Sequence, residues 1–151
     1  MKVLMVCLGN ICRSPLAEGI LRDKAARKGI VMQVDSAGTG GWHVGEPPDK
    51  RSQLIAKLSG IDISSQRARQ VRISDFEEFD CILAMDTANF KDLVALAPNL
   101  ELAKKVKLIL DYSFPGQNAN VPDPYYGSSE GFSQTFSLLE NAIESFIAQL
   151  K

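Results

Sequence analysis

The segment VLMVCLGNICRSP, residues 3–15, predicts a strand, a short loop and the start of a helix. Its first four residues form an apolar run that is too short for a helix of its own and indicates a buried strand. Ser14 suits the N-cap of a helix, and Pro15 suits its first position. The loop between strand and helix therefore lies at the positive end of a helix dipole, with backbone N–H groups free to bind an anion.

The same loop carries side chains suited to nucleophilic attack on a phosphate group. Cys7 and Arg13 enclose five residues. A thiol at a helix N-terminus loses its proton more readily, and an arginine binds two phosphate oxygens at once. Ser14 suits a hydrogen bond to a thiolate, and Gly9 and Asn10 tolerate left-handed backbone geometry. A lone cysteine at a strand end is more often a small buried hydrophobe, but this combination between a strand and a helix favours catalysis.

Length and composition are those of an ordinary globular chain. With 151 residues, 45% of them apolar and 23% charged, we expect a single domain, residues 1–151, with a sizeable core. The net charge of -1 gives no reason to expect nucleic acid or an anionic membrane as a partner. Three cysteines cannot all pair within one chain, which favours a reducing cytoplasm. We expect no signal peptide, and no segment has the ~18 apolar residues of a membrane span.

The apolar pattern alternates between strands and helices along the chain. It predicts four strands, at residues 3–6, 30–36, 81–85 and 106–110. It predicts helices at residues 15–29, 49–59 and 87–97, a helical turn near Asp75, and a final helix through Phe132, Phe136, Leu139, Ile143, Phe146 and Leu150. Such alternation is typical of an α/β domain in which helices cover both faces of a parallel sheet. Ligands bind beyond the carboxyl ends of such strands, where Cys7, Asp86 and the loop after Leu110 fall.

The segment VPDPYYG, residues 121–127, supplies a candidate proton donor. An alkoxide or phenolate leaving group needs a proton, and Asp123 lies between two prolines that stiffen its backbone. Asp-Pro is also a common turn dipeptide, so the segment taken alone favours a surface turn. Beside the cysteine loop, at the same edge of the sheet, the role of general acid is the stronger interpretation.

Residues 7–15, CLGNICRSP, and residues 123–126, DPYY, together resemble the low-molecular-weight protein tyrosine phosphatases. The resemblance covers the whole chain, because spacing, length and element order all suit the family. SAGT at 36–39, ARQ at 68–70 and MD at 85–86 are also similar to the family's supporting segments. It implies one domain with a four-stranded parallel sheet and helices on both faces, the phosphotyrosine phosphatase I-like fold. It also implies a hydrolase that acts on phosphotyrosine and small aryl phosphates in two steps, with no metal and no cofactor.

The resemblance assigns roles to the residues of the loop. The thiolate of Cys7 attacks phosphorus and forms a phosphocysteine. Asp123 protonates the leaving oxygen and then takes a proton from the water that breaks the intermediate. Ser14 hydrogen-bonds the sulfur. The phosphate oxygens are bound by the Arg13 guanidinium and by backbone N–H groups of a run of residues, Leu8, Gly9, Asn10, Ile11, Cys12 and Arg13.

Further residues are implied to support the loop. Asn10 is expected to hold it through side-chain hydrogen bonds, and Ser36 belongs to one of the supporting segments. Asp86 either supports the site by a hydrogen bond or salt bridge, or serves as an acid at the start of the helix that follows it. This chain has Gln66 where many family members carry a histidine that braces the phosphate loop, although glutamine still donates and accepts hydrogen bonds.

Two further cysteines have more modest roles. Cys12 either packs in the loop or, as the resemblance implies, forms a reversible disulfide with Cys7 that protects this residue from over-oxidation. Cys81 begins a predicted buried strand, so we expect it in the core.

The mouth of the site is expected to be aromatic. Trp42 lies among glycines, which favours an exposed ring, and in the family this loop borders the active site. Trp42 and Tyr125 are expected to form two walls of a slot deep enough for phosphotyrosine, with His43 and Tyr126 beside them as substrate contacts. His43 stands where the third glycine of a dinucleotide fingerprint would be, so that motif fails. No ligand cluster surrounds His43 to suggest a metal site.

Two other functions use a similar loop. An arsenate reductase of the same fold needs further cysteines as a relay, whereas only Cys12 and Cys81 remain here. A non-catalytic phosphate-binding module would be expected to have lost Cys7, Arg13 or Asp123. We therefore expect a phosphatase for a tyrosine-phosphorylated protein or an aryl phosphate, present as a monomer or in weak self-association.

Overall fold

The fold is built on one parallel sheet. In the computed structural model, which describes residues 1–150, the strands are β1 (Lys2–Cys7), β2 (Gln33–Gly38), β3 (Cys81–Ala84) and β4 (Val106–Leu108). They lie in the order β2-β1-β3-β4, and each neighbouring pair is parallel. β1 is central and is buried throughout after Lys2. The predicted four-stranded parallel sheet is confirmed.

Helices cover both faces of this sheet. The helices described within residues 1–150 are α1 (Arg13–Arg27), α2 (Lys50–Leu58), α3 (Asp75–Glu78), α4 (Thr87–Leu96), α5 (Leu100–Ala103) and α6 (Ser129–Ala148), with a 3-10 helix at Ile109–Tyr112. Side chains alternate along β1, so Val3 and Met5 join the core cluster that α1 and α6 cover. Leu4 and Val6 face the opposite way, into a second cluster with residues of α3 and α4. Over this same range, no helix combines the length and apolarity needed to cross a bilayer.

The ends of several elements differ from the prediction. β2 begins at Gln33 rather than at residue 30, because Ile30 closes the last turn of α1 through its backbone N–H and packs on the core. β4 ends at Leu108, and the apolar residues after it tighten into the 3-10 helix instead of extending the strand. α5 has no counterpart in the prediction.

The start of α1 also differs from the prediction. The N-cap of α1 is Cys12, not Ser14, so the prediction for Ser14 is wrong. Asn10 adopts a left-handed backbone conformation, with φ of 58°, which turns the chain into the helix before Ser14 is reached. Ser14 lies inside the first turn, and its hydroxyl group contacts the sulfur of Cys7.

The topology brings three chain segments to one edge of the sheet. The parallel register of β1 and β3 places Cys7 and Asp86 at the carboxyl ends of neighbouring strands. The N–H of Val121 donates to the carbonyl oxygen of Met85 (2.8 Å), which brings the segment before Asp123 to the same edge. Residues that are far apart in the sequence thereby meet where ligands of parallel sheets bind.

Candidate active site

Cys7 is the last residue of β1, and its sulfur lies among hydrogen-bond donors. Only 2% of the residue is exposed. The backbone N–H of Asn10 donates to Sγ (3.3 Å), and Oγ of Ser14 lies 3.0 Å from Sγ. Because Ser14 Oγ already accepts a hydrogen bond from Asn10 Nδ2 (2.7 Å), its own hydrogen is free to point at the sulfur. Both contacts stabilise negative charge on the sulfur.

The side chain of Asn10 joins the phosphate loop, residues 8–13, to two other segments. Its Nδ2 group donates to Ser14 Oγ and to Ser36 Oγ (2.9 Å). Its Oδ1 accepts a hydrogen bond from the backbone N–H of Arg69 (3.0 Å), in the ARQ segment. The loop is therefore held from the side of β2 and from the segment after α2, with both amide donors engaged.

A buried carboxylate ends this chain of hydrogen bonds. Ser36 Oγ donates to Oε1 of Glu18 (2.7 Å), and the other oxygen of Glu18 pairs with Arg22. Burial raises the pKa of Glu18, and the hydrogen bonds from Ser36 and Arg22 offset this rise only in part. No sequence motif marks Glu18. The one signal available is its spacing from Ser14, because residues i and i+4 share a helix face.

Arg13 is buried, and its guanidinium group is fixed by two acceptors. Nη1 donates to Oδ2 of Asp86 (2.7 Å) and to the carbonyl oxygen of Val121 (3.0 Å). The second oxygen of Asp86 accepts the N–H of Asn89 (2.7 Å) and caps α4. The Asp86 carboxylate therefore has both of the expected roles, because it pairs with Arg13 and also lies at the start of α4.

Asp123 lies at the open side of the site. Its Oδ2 is 3.6 Å from Nη2 of Arg13, and 41% of its side chain is exposed. Its Oδ1 accepts the backbone N–H of Tyr125 (3.1 Å), so the predicted turn is present as well. Burial alone would lower the pKa of Arg13, but the charges of Cys7, Asp86 and Asp123 outweigh it and raise this pKa.

These groups line one cavity of about 410 Å³. Its floor and walls bring together residues of the phosphate loop, the loop after β2 and the DPYY segment: Cys7, Leu8, Gly9, Ile11, Cys12, Arg13, Trp42, His43, Asp123, Tyr125 and Tyr126. All four residues that were expected to contact substrate are among them. The supporting residues Ser14, Ser36 and Asp86 lie behind this lining.

Aromatic rings surround the mouth of the cavity. The Trp42 ring is exposed (71%) and lies over Gly40, where an added β-carbon would come within 1.9 Å of Cζ3. His43 is the ring that approaches Tyr125, with centroids 6.4 Å apart. Tyr126 meets Tyr125 edge to face at 4.9 Å. His43, Tyr125 and Tyr126 thus form one cluster of rings in the cavity lining, and Trp42 adds a further exposed ring.

His43 is held by a neighbour in its own loop. Its Nδ1 lies 2.9 Å from Oε2 of Glu46, and its ring packs over Gly9 of the phosphate loop. Within residues 1–150, no three His, Cys, Asp or Glu side chains are grouped as a metal ion requires. The position of His43 is that of a wall residue.

The three cysteines have different environments. All three are free thiols. Burial, together with the charges of Asp49, Cys7 and Asp123, raises the pKa of Cys12 to about 12, so Cys12 is a neutral thiol near pH 7. Cys81 lies at the start of β3, opposite Val3, and burial raises its pKa to about 11.

Gln66 contacts the start of α1. Its Nε2 donates to the carbonyl oxygen of Pro15 (3.1 Å). Its Oε1 is buried and has no hydrogen-bond partner among the described residues. The amide therefore braces the helix that follows the phosphate loop, while the loop itself is held by Asn10.

Comparisons of sequence and of structure with known proteins agree with one another. A family model described as low molecular weight phosphotyrosine protein phosphatase matches residues 2–151. The low molecular weight protein-tyrosine-phosphatase YfkJ of Bacillus subtilis is 43% identical, with 99% of this chain and 95% of that protein covered. A protein tyrosine phosphatase from Entamoeba histolytica superposes with a TM-score of 0.93 at 38% identity, covering 99% of this chain and 96% of the other. DARP, the drosophila arginine phosphatase, superposes with a TM-score of 0.94 at 33% identity, covering 100% and 98%.

Proposed function

Because this chain belongs to the low molecular weight phosphotyrosine protein phosphatase family, we propose that Cys7, Arg13 and Asp123 perform the phosphatase reaction in the cavity that they line. Members of this family are hydrolases, and this chain is a protein tyrosine phosphatase by membership. One observation carries the residue assignment. The sulfur of Cys7, with two hydrogen-bond contacts, lies in the same cavity as a guanidinium group that Asp86 fixes.

The first step is attack by the sulfur on phosphorus. The thiolate of Cys7 forms the S–P bond as the P–O bond to the leaving group breaks. The Ser14 hydroxyl and the Asn10 N–H stabilise the thiolate before attack, and they stabilise it again when it leaves in the second step. A buried sulfur at the floor of a cavity admits only a phosphate group carried at the end of a slender side chain.

Charge on the equatorial oxygens is the main electrostatic demand of the transition state. The guanidinium of Arg13, which lines the cavity, and the backbone N–H groups of the phosphate loop are the donors that meet it. Asp86 and Val121 hold Nη1, which leaves the remaining N–H groups of Arg13 for the phosphate. Preorganised donors of this kind lower the barrier without reorganising during the reaction.

Asp123 acts as the general acid in the first step and as the general base in the second. In the first step its carboxyl group gives a proton to the leaving oxygen. In the second step its carboxylate takes a proton from the water that attacks the phosphocysteine, and the Cys7 thiolate departs. The exposed position of Asp123 at the open side of the cavity leaves room for a phenol and then for a water molecule.

The aromatic mouth supports an aryl substrate. A phenyl ring that enters between Trp42 and Tyr125 meets apolar ring faces, while the phosphate reaches the floor. A phosphoserine side chain is shorter and brings no ring to these surfaces, so we expect it to be the poorer substrate. We therefore assign tyrosine-phosphorylated proteins and small aryl phosphates as substrates.

The assignment is tested with two variants and one control. Cys7→Ser is expected to lose hydrolysis of p-nitrophenyl phosphate, because a hydroxyl group replaces the thiolate. Asp123→Asn is expected to lose about 10²- to 10⁴-fold in turnover of phenyl phosphate while inorganic phosphate still inhibits it. Asp92→Asn, which changes an exposed acid on α4, is the matched control and should resemble the parent. Substantial turnover by Cys7→Ser would contradict the covalent mechanism.

Substrate choice is tested in the same assay. One structural neighbour is an arginine phosphatase by its description, so phosphoarginine is compared with phosphotyrosine and phosphoserine. We expect phosphotyrosine to give the highest kcat/KM, because the mouth offers ring surfaces to a phenyl group. A higher kcat/KM for phosphoarginine would contradict this assignment of substrate.

We further propose that the protein works in the cytoplasm as a monomer or in weak self-association. Its free thiols at Cys7, Cys12 and Cys81 suit a reducing compartment. An arsenate-reductase relay through Cys81 has no support, because Val3, its partner in the register, precedes Cys7 by four residues, or about 13 Å along a strand. A non-catalytic module would not need the proton donor at Asp123.

A further inference from the structure

Arg51, in the first turn of α2, reaches the segment that carries Asp123. Its Nη2 donates to the carbonyl oxygen of Tyr125 (2.9 Å), and its Nη1 donates to that of Gly127 (3.3 Å). Its guanidinium carbon lies 4.6 Å from the ring centre of Phe132, at the start of α6, and 5.8 Å from that of Tyr125. One side chain therefore fixes both the backbone and the ring of the segment after Asp123.

Asp49 holds the Arg51 side chain in this orientation. Asp49 is the N-cap of α2, and its Oδ1 accepts the backbone N–H of Arg51 (2.8 Å). Its two carboxylate oxygens also accept Nε and Nη2 of Arg51, each at 3.0 Å. Burial alone would raise the pKa of Asp49, but the hydrogen bonds from Arg51 outweigh it and lower this pKa. The pair is therefore charged and rigid near neutral pH.

The same end of α2 is attached to the phosphate loop. The backbone N–H of Asp49 donates to the carbonyl oxygen of Ile11 (2.8 Å), and Ser52 Oγ donates to that of Cys12 (3.3 Å). Ile11, Cys12 and Phe132 also pack in one apolar cluster, against which Tyr125 lies. The start of α2 thus contacts the phosphate loop directly and the DPYY segment through Arg51.

We propose that Arg51 is a positioning residue, which sets the place of Asp123 relative to Cys7. The link is short, because Tyr125 accepts from Arg51 at its carbonyl oxygen and donates its N–H to Asp123 Oδ1 (3.1 Å). The inference rests on the proposed role of Asp123 as general acid. Without Arg51, the segment keeps its attachment before Asp123, at Val121, but loses both side-chain hydrogen bonds to its backbone after Asp123.

The test measures kcat/KM for a series of aryl phosphates whose phenol leaving groups differ in acidity. An aligned acid weakens the dependence of kcat/KM on this acidity, because the leaving oxygen receives a proton as it departs. In Arg51→Ala we expect kcat/KM for phenyl phosphate to fall by up to about 100-fold. The fall for p-nitrophenyl phosphate should be much smaller, and inhibition by inorganic phosphate should not change. Arg51→Lys keeps the charge but not the forked guanidinium group, so its kcat/KM for phenyl phosphate should lie between those of the parent and Arg51→Ala. If Arg51→Ala folds poorly, Arg51→Lys provides the test in its place.

The variant Asp123→Asn distinguishes a failure of the positioning role of Arg51 from a failure of the general-acid role of Asp123. Once the acid is absent, adding Arg51→Ala should cost little more, because both variants affect one proton transfer. Lys50→Ala, at the exposed neighbouring position, is the control and should resemble the parent. Three results would overturn the role of Arg51 and leave the acid assignment in place. They are equal losses of kcat/KM on the two substrates in Arg51→Ala, weaker inhibition of that variant by phosphate, and additive losses in the double variant. A parental leaving-group dependence in Asp123→Asn would instead overturn the acid assignment.

Discussion

Asp86 binds Arg13 with one carboxylate oxygen and caps α4 with the other, each at 2.7 Å. The charged partner of the guanidinium is thus also the first hydrogen-bond acceptor of a helix. A helix cap is fixed by backbone geometry, so Asp86 has little freedom to move away from Arg13. The orientation of the Arg13 guanidinium is set by the start of α4 rather than by flexible surface charge.

Two substitutions at Asp86 should separate its two roles. Asp86→Asn keeps an oxygen suited to capping but removes the charge that Arg13 faces, so we expect α4 to keep its cap while kcat/KM falls by about 10-fold or more. Asp86→Ala removes the cap as well, so its free energy of unfolding should fall by about 1 kcal/mol more than that of Asp86→Asn. Urea unfolding and phosphate release measure the two effects. Asn99→Ala removes the cap of α5 and should leave activity unchanged; parental activity in Asp86→Asn would contradict the prediction.

Asn10→Gly should separate the backbone of the phosphate loop from its side-chain contacts. Glycine accepts the φ of 58° but lacks the amide that bonds Ser14 and Ser36. We expect the free energy of unfolding to fall by about 1–3 kcal/mol and alkylation of Cys7 by iodoacetate to slow, because the Ser14 hydroxyl is no longer oriented. Asn118→Gly, at an exposed asparagine with φ of 50°, is the control. Parental alkylation kinetics would show that the amide does not act on the sulfur.

Stability should decline at alkaline pH through the buried thiols. Burial, with Asp49 and Cys7, raises the pKa of Cys12 from 9.0 to about 12. Between these values the unfolded chain loses this proton and the folded chain keeps it, so the free energy of unfolding falls as pH rises. This thiol accounts for up to about 1.4 kcal/mol per pH unit.

The measurement is urea unfolding under reducing conditions from about pH 8 to about pH 11, which covers the lower part of the interval between the unfolded and folded pKa values of Cys12. Cys12→Ala should decline less steeply than the parent. Cys81→Ala should behave in the same way over a narrower range, because the pKa of Cys81 is raised to about 11. Equal slopes in the parent and in the variant that lacks both thiols would contradict the prediction.

The two neighbouring tyrosines should differ in their effect on substrate binding. The Tyr125 ring lies beside that of His43, with centroids 6.4 Å apart, whereas Tyr126 is 96% exposed. We expect Tyr125→Ala to raise KM for p-nitrophenyl phosphate by up to about 10-fold, and Tyr126→Ala to change it less. Tyr125→Phe keeps the ring and is the matched control. An unchanged KM in Tyr125→Ala would remove Tyr125 from the substrate walls.

Local sequence signals were sufficient for the centre of the site. Cys7 and Arg13 lie in one strand–loop–helix segment, whose geometry follows from short-range preferences. The same preferences failed at Ser14, because a hydroxyl that is able to cap a helix has a better-placed partner in the sulfur of Cys7. A helix-capping preference is weak enough for such a tertiary contact to override it.

Contacts between distant segments were beyond a single sequence. The hydrogen bond from Arg13 to Asp86 spans 73 positions, and that from Arg51 to Tyr125 spans 74. Asp86 was a candidate through its place after a predicted strand and through the resemblance of residues 85–86 to a supporting segment of the family. Arg51 lay in the first turn of a predicted helix, and nothing else in the sequence marked it. Which long-range pairs form depends on sheet register and on loop packing, and neither leaves a local pattern.

Arg22 shows how this arrangement constrains later sequence change. Its side chain is 54% exposed, and exposed positions usually accept many replacements. Here a neutral replacement would leave Glu18 buried without its counter-charge, which raises the pKa of Glu18 further and weakens it as the acceptor for Ser36. Sequence change at this outer position is therefore restricted by the hydrogen bonds that lead to the Cys7 sulfur, although Arg22 does not contact Cys7.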